Sequence, residues 1–154
     1  MDHHDFDFLH GSWRIHNRRL TERLVGATTW IEFDALHECR PILGGIGNVD
    51  EMTTSWNGGF RGFSLRLFDL AKRHWTINWA STMTGTLDPA VVGRFEGGVG
   101  TFLGRDHHKD TPVLARFLWS GITPVAAHWE QAFSTDEGVT WETNWHMHFD
   151  RIAT

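Results

Sequence analysis

Val125-Ala126-Ala127-His128-Trp129-Glu130-Gln131-Ala132-Phe133-Ser134, then Thr140-Trp141-Glu142-Thr143-Asn144-Trp145-His146-Met147-His148-Phe149-Asp150-Arg151, decides the fold. In both segments bulky apolar residues alternate with polar ones, the period of a strand with one buried face. Thr135 to Val139, centred on Asp136-Glu137-Gly138, carries turn chemistry, so the two segments read as a hairpin. Matching apolar to apolar sets Phe133 opposite Trp141, Gln131 opposite Thr143 and Trp129 opposite Trp145. The other face then holds Glu130 beside Asn144 and His128 beside His146, with His148 diagonal to His128. A preceding strand that turns near Gly121 to Pro124 places Trp119 against Ala127, Phe117 against Trp129 and Arg116 against Glu130. Three strands thus share one aromatic face and one polar face, the latter made of Arg116, His128, Glu130, Asn144, His146 and His148.

The rest of the chain repeats this grammar. Short alternating runs lie near 12–20, 29–40, 47–55, 61–69, 74–81, 90–96, 99–105, 112–121, 125–134 and 141–151. Trp56-Asn57-Gly58-Gly59, Asp69 to Lys72, Gly97-Gly98 and Asp106 to Asp110 punctuate them. After a short helical turn in Asp5 to Leu9, nothing shows helical periodicity. The expectation is an all-β fold, a single up-and-down antiparallel β-barrel of about ten strands spanning 1–154, because closure leaves no sheet edge exposed. The 9 Trp and 11 Phe, with no Tyr, suit strands around an aromatic interior. Nine Trp are many for one small core, which leaves room for a homodimer through exposed aromatic strands.

A net charge of −5 with interspersed signs argues against a nucleic-acid partner. No apolar run has the length of a membrane span. Met1 to Asp7 is acidic and unlike a signal peptide, and the lone Cys39 suits a reducing compartment, so a cytoplasmic location is expected.

Gly11-Ser12-Trp13 ahead of a strand resembles the opening motif of lipocalins and other calycins. That resemblance implies a Trp packed at the closed end of the barrel against an Arg of the last strand, here Arg151. Phe6 to Trp13, Arg40 to Glu51, Trp129 to Ser134 and Trp141 to Trp145 resemble more closely a bacterial family of lipocalin-like domains of unknown function. These segments run from the first strand to the last. The resemblance implies a calycin-like barrel and no activity. Nitrobindin-like barrels are a more distant likeness.

In-phase residues Trp13, Asn17, Trp79, Phe117, Trp129, Gln131, Trp145 and Met147 form the expected ligand-binding wall, with Asn17 and Gln131 orienting the ligand. A barrel of ten strands is too wide for side chains alone to fill. The preferred function is therefore binding of a small, largely apolar molecule, of carrier or sensor type, with no cofactor. One alternative is an enzyme, an isomerase, cyclase or lyase acting on an apolar substrate in the same cavity, with Glu130 or His128 as the catalytic proton carrier. Another is a Zn, Fe or haem protein using His128, His146 and His148. His3-His4 and His107-His108 read as surface features. Gly44-Gly45-Ile46-Gly47 lacks the Lys-Ser/Thr ending of a phosphate loop and reads as a bend or bulge in a strand. Cys39 has only His37, on the same face, as a neighbouring base.

Overall fold

A computed structural model describes residues 2–153. Ten strands follow the short 3-10 turn Asp7–Leu9: β1 Gly11–Leu20, β2 Trp30–Ile42, β3 Gly47–Thr54, β4 Phe60–Asp69 and β5 His74–Ser81. The second half adds β6 Val91–Glu96, β7 Val99–His108, β8 Thr111–Ser120, β9 Ala126–Ser134 and β10 Glu142–Arg151. Each strand pairs antiparallel with its sequence neighbour, and β1 closes on β10, so the barrel has no free edge. Leu43–Gly45 is a 3-10 turn joining β2 to β3, with Gly44 and Gly45 at positive φ. It corrects the expected bend within one strand, because two left-handed residues in succession reverse the chain.

Alternation sorts every strand into an inward and an outward set. On β1, Trp13, Ile15 and Asn17 are buried, whereas Arg14, His16 and Arg18 are exposed. Two registers differ from expectation by one pleat repeat. Trp129 faces Met147 rather than Trp145, and Trp119 faces Trp129 rather than Ala127. A slip of two residues leaves every side chain on its own face, so alternation cannot detect it. A bulge between Thr143 and Trp145 does change a face: Asn144 is fully buried, not on the outer wall. Arg116 faces Ala132 rather than Glu130, and its guanidinium stacks 4.4 Å from the Trp141 ring.

One end of the barrel is plugged. Phe6 packs against Trp75 at 5.0 Å, Phe95 at 4.8 Å and Phe102 at 5.7 Å. Burying one Phe contributes about 1.5–3 kcal/mol. Trp13 is sealed beside it, its indole N–H donating to the Leu9 carbonyl at 2.8 Å. Arg151 lies 4.1 Å from the Trp13 ring and donates to the carbonyls of His10 at 2.6 Å, Phe8 at 2.5 Å and Pro124 at 2.8 Å. The implied Trp–Arg pair is therefore present, and it ties both chain ends to the plug.

Candidate functional site: the open end of the barrel

The opposite end is hollow. Between the β1–β2 loop, the β5–β6 loop and the tips of β7–β10 lies a cavity of about 190 Å³. Its wall includes Phe60, Ile77, Trp79, Phe117, Phe133 and Trp145, and Gln131 supplies an amide. The aromatic rings support one another. Trp145 meets Trp79 at 6.1 Å and Trp129 at 5.8 Å, both edge to face, and Phe117 meets Trp129 at 5.1 Å. Gly62 makes this possible, because a Cβ there would collide with the Trp79 ring. Gln131 donates to Asn144 Oδ1 at 2.9 Å, so the β10 bulge fixes the amide of the wall.

Of the eight expected ligand residues, Trp79, Phe117, Gln131 and Trp145 line this cavity. Trp129 and Met147 line a smaller void of about 30 Å³ deeper in the barrel, which Trp79 and Phe117 also border. Asn17 stands behind Trp145 and accepts its indole N–H at 3.0 Å. Trp13 belongs to the closed end, remote from the open cavity.

Sequence reading missed two arginines at the rim. Arg19 follows Trp13, Ile15 and Asn17 in phase, and that periodicity was the signal for an inward cation. Arg23 sits in the loop after β1, where no alternation applies. The Leu24 N–H donates to Glu142 Oε1 at 2.7 Å and ties this loop to β10. Burial lowers the pKa of Arg19, and burial together with the Arg19 charge draws Arg23 down to about 9. Burial and the nearby cations Arg23, Lys109 and Arg19 also lower His108, at the same rim. Asp88 lines the rim as well, its pKa raised by burial and then by Asp106.

Deeper inside lies a charged cluster that sequence reading also missed. Asp50 Oδ2 accepts from Arg66 Nη1 at 2.6 Å and lies 3.0 Å from His37 Nε2, while its Oδ1 accepts the Ser64 N–H at 3.0 Å. Arg66 Nη1 also donates to Asn48 Oδ1 at 3.0 Å. Burial alone would favour protonated Asp50, but Arg66 and His37 outweigh it and hold the carboxylate well below its usual range. Cys39 lies on the same inner face, and burial pushes its thiol up to about 12. That, with His37 engaged by Asp50, leaves the Cys39 thiol unactivated.

His128 and Glu130 of β9 and His146 and His148 of β10 face outward. His128 Nε2 is 3.0 Å from His146 Nδ1 and 3.9 Å from Glu130 Oε1. One ligating atom from each of these three residues lies within 4.8 Å of the others. Burial lowers both imidazole pKa values; the neighbouring His146 lowers His128 further, while Glu130 raises both. His148 is directly opposite His128 but exposed, with its Nε2 3.3 Å from Asp150 Oδ1. A haem held by His146 or His148 would therefore lie outside the barrel.

Closed strand order, one plugged end and one hollow end define a calycin-like β-barrel. No family model matches the chain, and no curated protein matches it. Among solved structures the chain is similar to the S-type phycobiliprotein lyase CPES from Guillardia theta. The two are 13% identical over 97% of this chain and 91% of that one, with a TM-score of 0.61. At that identity the likeness concerns the fold.

Proposed function

We propose that the barrel binds a small, largely apolar molecule in the cavity at its open end. The observation that carries this reading is the wall itself: Trp79, Phe117, Phe133 and Trp145 enclose about 190 Å³ while the opposite end is sealed. Mutual edge-to-face contacts hold the rings in place, so little ordering cost remains on binding. The volume is below the roughly 300–1,000 Å³ of drug-sized pockets, which favours a ligand of about one aromatic ring or a short acyl chain. Titration of the purified protein with octanoate and 1-octanol, followed by Trp fluorescence and native mass spectrometry, tests the reading. Saturable quenching and a one-to-one adduct are expected; absence of both for each probe would sink it.

A catalytic use of the same cavity would draw its proton carrier from Asp88 or His108, since His37 and Asp50 border only the smaller void beneath it. Glu130 and His128 face the other side of the wall.

The outer His128–Glu130–His146 cluster favours a second, separate reading, a divalent transition-metal site of two imidazoles and one carboxylate. It replaces His148 of the expected trio with Glu130.

A further inference from the structure

Arg19 and Arg23 both reach towards the Trp145 ring, their guanidinium carbons 4.9 and 5.7 Å from its centroid. Arg19 also lies 5.5 Å from Trp56, and Arg23 lies 5.5 Å from Phe133. Among the described residues neither has a carboxylate within 4.0 Å, and Arg19 Nε and Arg23 Nη2 are buried without an acceptor. The same barrel pairs its fully buried guanidinium, Arg66, with Asp50 at 2.6 Å. Two like charges at one cavity rim, partly buried and without a counter-ion within 4.0 Å, are costly. Glu142 is the acidic group whose charge acts on Arg23, and its Oε1 is taken by the Leu24 N–H. The other ionisable groups at this rim are His107, His108, Lys109, Arg105, Asp88 and Asp106; among the described residues none forms an ion pair with either arginine.

We infer that Arg19 and Arg23 form the anchor for an oxyanion, so that the ligand is a small amphiphile with an apolar body and a carboxylate or phosphate head. The body lies along Trp79, Phe117 and Trp145, and the head sits at Arg19 and Arg23, which both line the cavity and whose planar guanidinium forks suit an oxyanion. This inference rests on the cavity reading above. The space equals about six water molecules at roughly 30 Å³ each, which suits a single ring or a short chain.

Calorimetric titration with octanoate, octyl phosphate and 1-octanol tests it in wild type, Arg19→Met and Arg23→Met, with near-UV circular dichroism to confirm folding. Octanoate or octyl phosphate should bind at least about tenfold tighter than 1-octanol, and in each variant the ratio of anion to 1-octanol affinity should fall to about one. Preference between the two anions assigns a carboxyl or a phosphoryl head. Arg23→Lys, which keeps the charge without the fork, should retain part of the advantage and covers the case in which a methionine variant fails to fold. Equal binding of 1-octanol and both anions by wild type, or an anion advantage that survives both methionine substitutions, would overturn the anion anchor and leave the cavity reading intact. No binding of any probe to wild type would overturn the cavity reading, and this inference with it.

Discussion

The indole N–H of Trp145 donates to Asn17 Oδ1 at 3.0 Å, joining the last strand to the first behind the wall of the cavity. Asn17 is fully buried, and its Nδ2 meets only the sulfur of Met52 at 4.0 Å. Asn17→Leu leaves a buried indole donor unpaired, and it should cost about 1–3 kcal/mol in urea unfolding. It should also weaken octanoate binding, because Trp145 loses the bond that fixes its ring. A variant with wild-type stability would show that the bond is replaceable.

Arg23 should trade stability for binding. Its folded pKa is drawn from 12.5 to about 9, by burial first and by Arg19 second, so folding disfavours its charged form. A base shifted in this direction penalises the fold at neutral pH, and the penalty fades as pH rises above about 9. Arg23→Met should therefore raise stability at pH 7 by about 1–4 kcal/mol. Octanoate should raise the Tm of wild type more than 1-octanol does, and the variant should lose that difference. Loss of stability in Arg23→Met would mean that the guanidinium is structurally paired.

Asp50 should govern the acid limb of stability. Its depressed pKa arises because Arg66 and His37 overcome the burial penalty. The stabilisation is present above the ordinary carboxylate value of about 3.9 and is lost as pH falls below it. Asp50→Asn should cost about 3–5 kcal/mol at neutral pH, since it strands a buried Arg66. It should also flatten the pH dependence between roughly 4 and 2. Unchanged acid unfolding would remove Asp50 from that role.

Co²⁺ reads the outer His128–Glu130–His146 cluster by its visible absorption. Because burial lowers both imidazole pKa values, protons compete less with metal than for ordinary histidines, so binding should persist somewhat below pH 6.5. His128→Ala and Glu130→Gln should each weaken binding by at least about tenfold. If removing His3-His4 or His107-His108 abolishes the signal instead, the metal sits there and the cluster is a plain hydrogen-bonded pair.

The barrel was legible because turn residues and in-phase aromatics recur along the whole chain, and most of each strand keeps a period of two. That period also set the limit. It assigns faces and is blind to a slip of two residues, which is why Trp129 was matched to Trp145 instead of Met147. Asn144 escaped because a bulge adds one residue and leaves no mark in composition. Arg19 and Arg66 were readable in principle, each being in phase with buried neighbours, but a charged side chain in a strand is ordinarily assigned to the outside. Arg23 could not be read that way, since its position comes from a loop tied down by Leu24 and Glu142.

The plug of Phe6 and Trp13, clamped by Arg151, turns the barrel into a vessel with a single door. Under the proposed reading a guest would go in greasy end first and come out head first, its polar group facing the doorway throughout its stay. The Leu24 N–H to Glu142 Oε1 bond ties the β1–β2 loop to β10 beside that doorway; were this loop to open for a guest, loosening the bond would hasten arrival and departure together. Residence time and affinity would then be separate dials on one small protein, one set in a loop and the other in the wall.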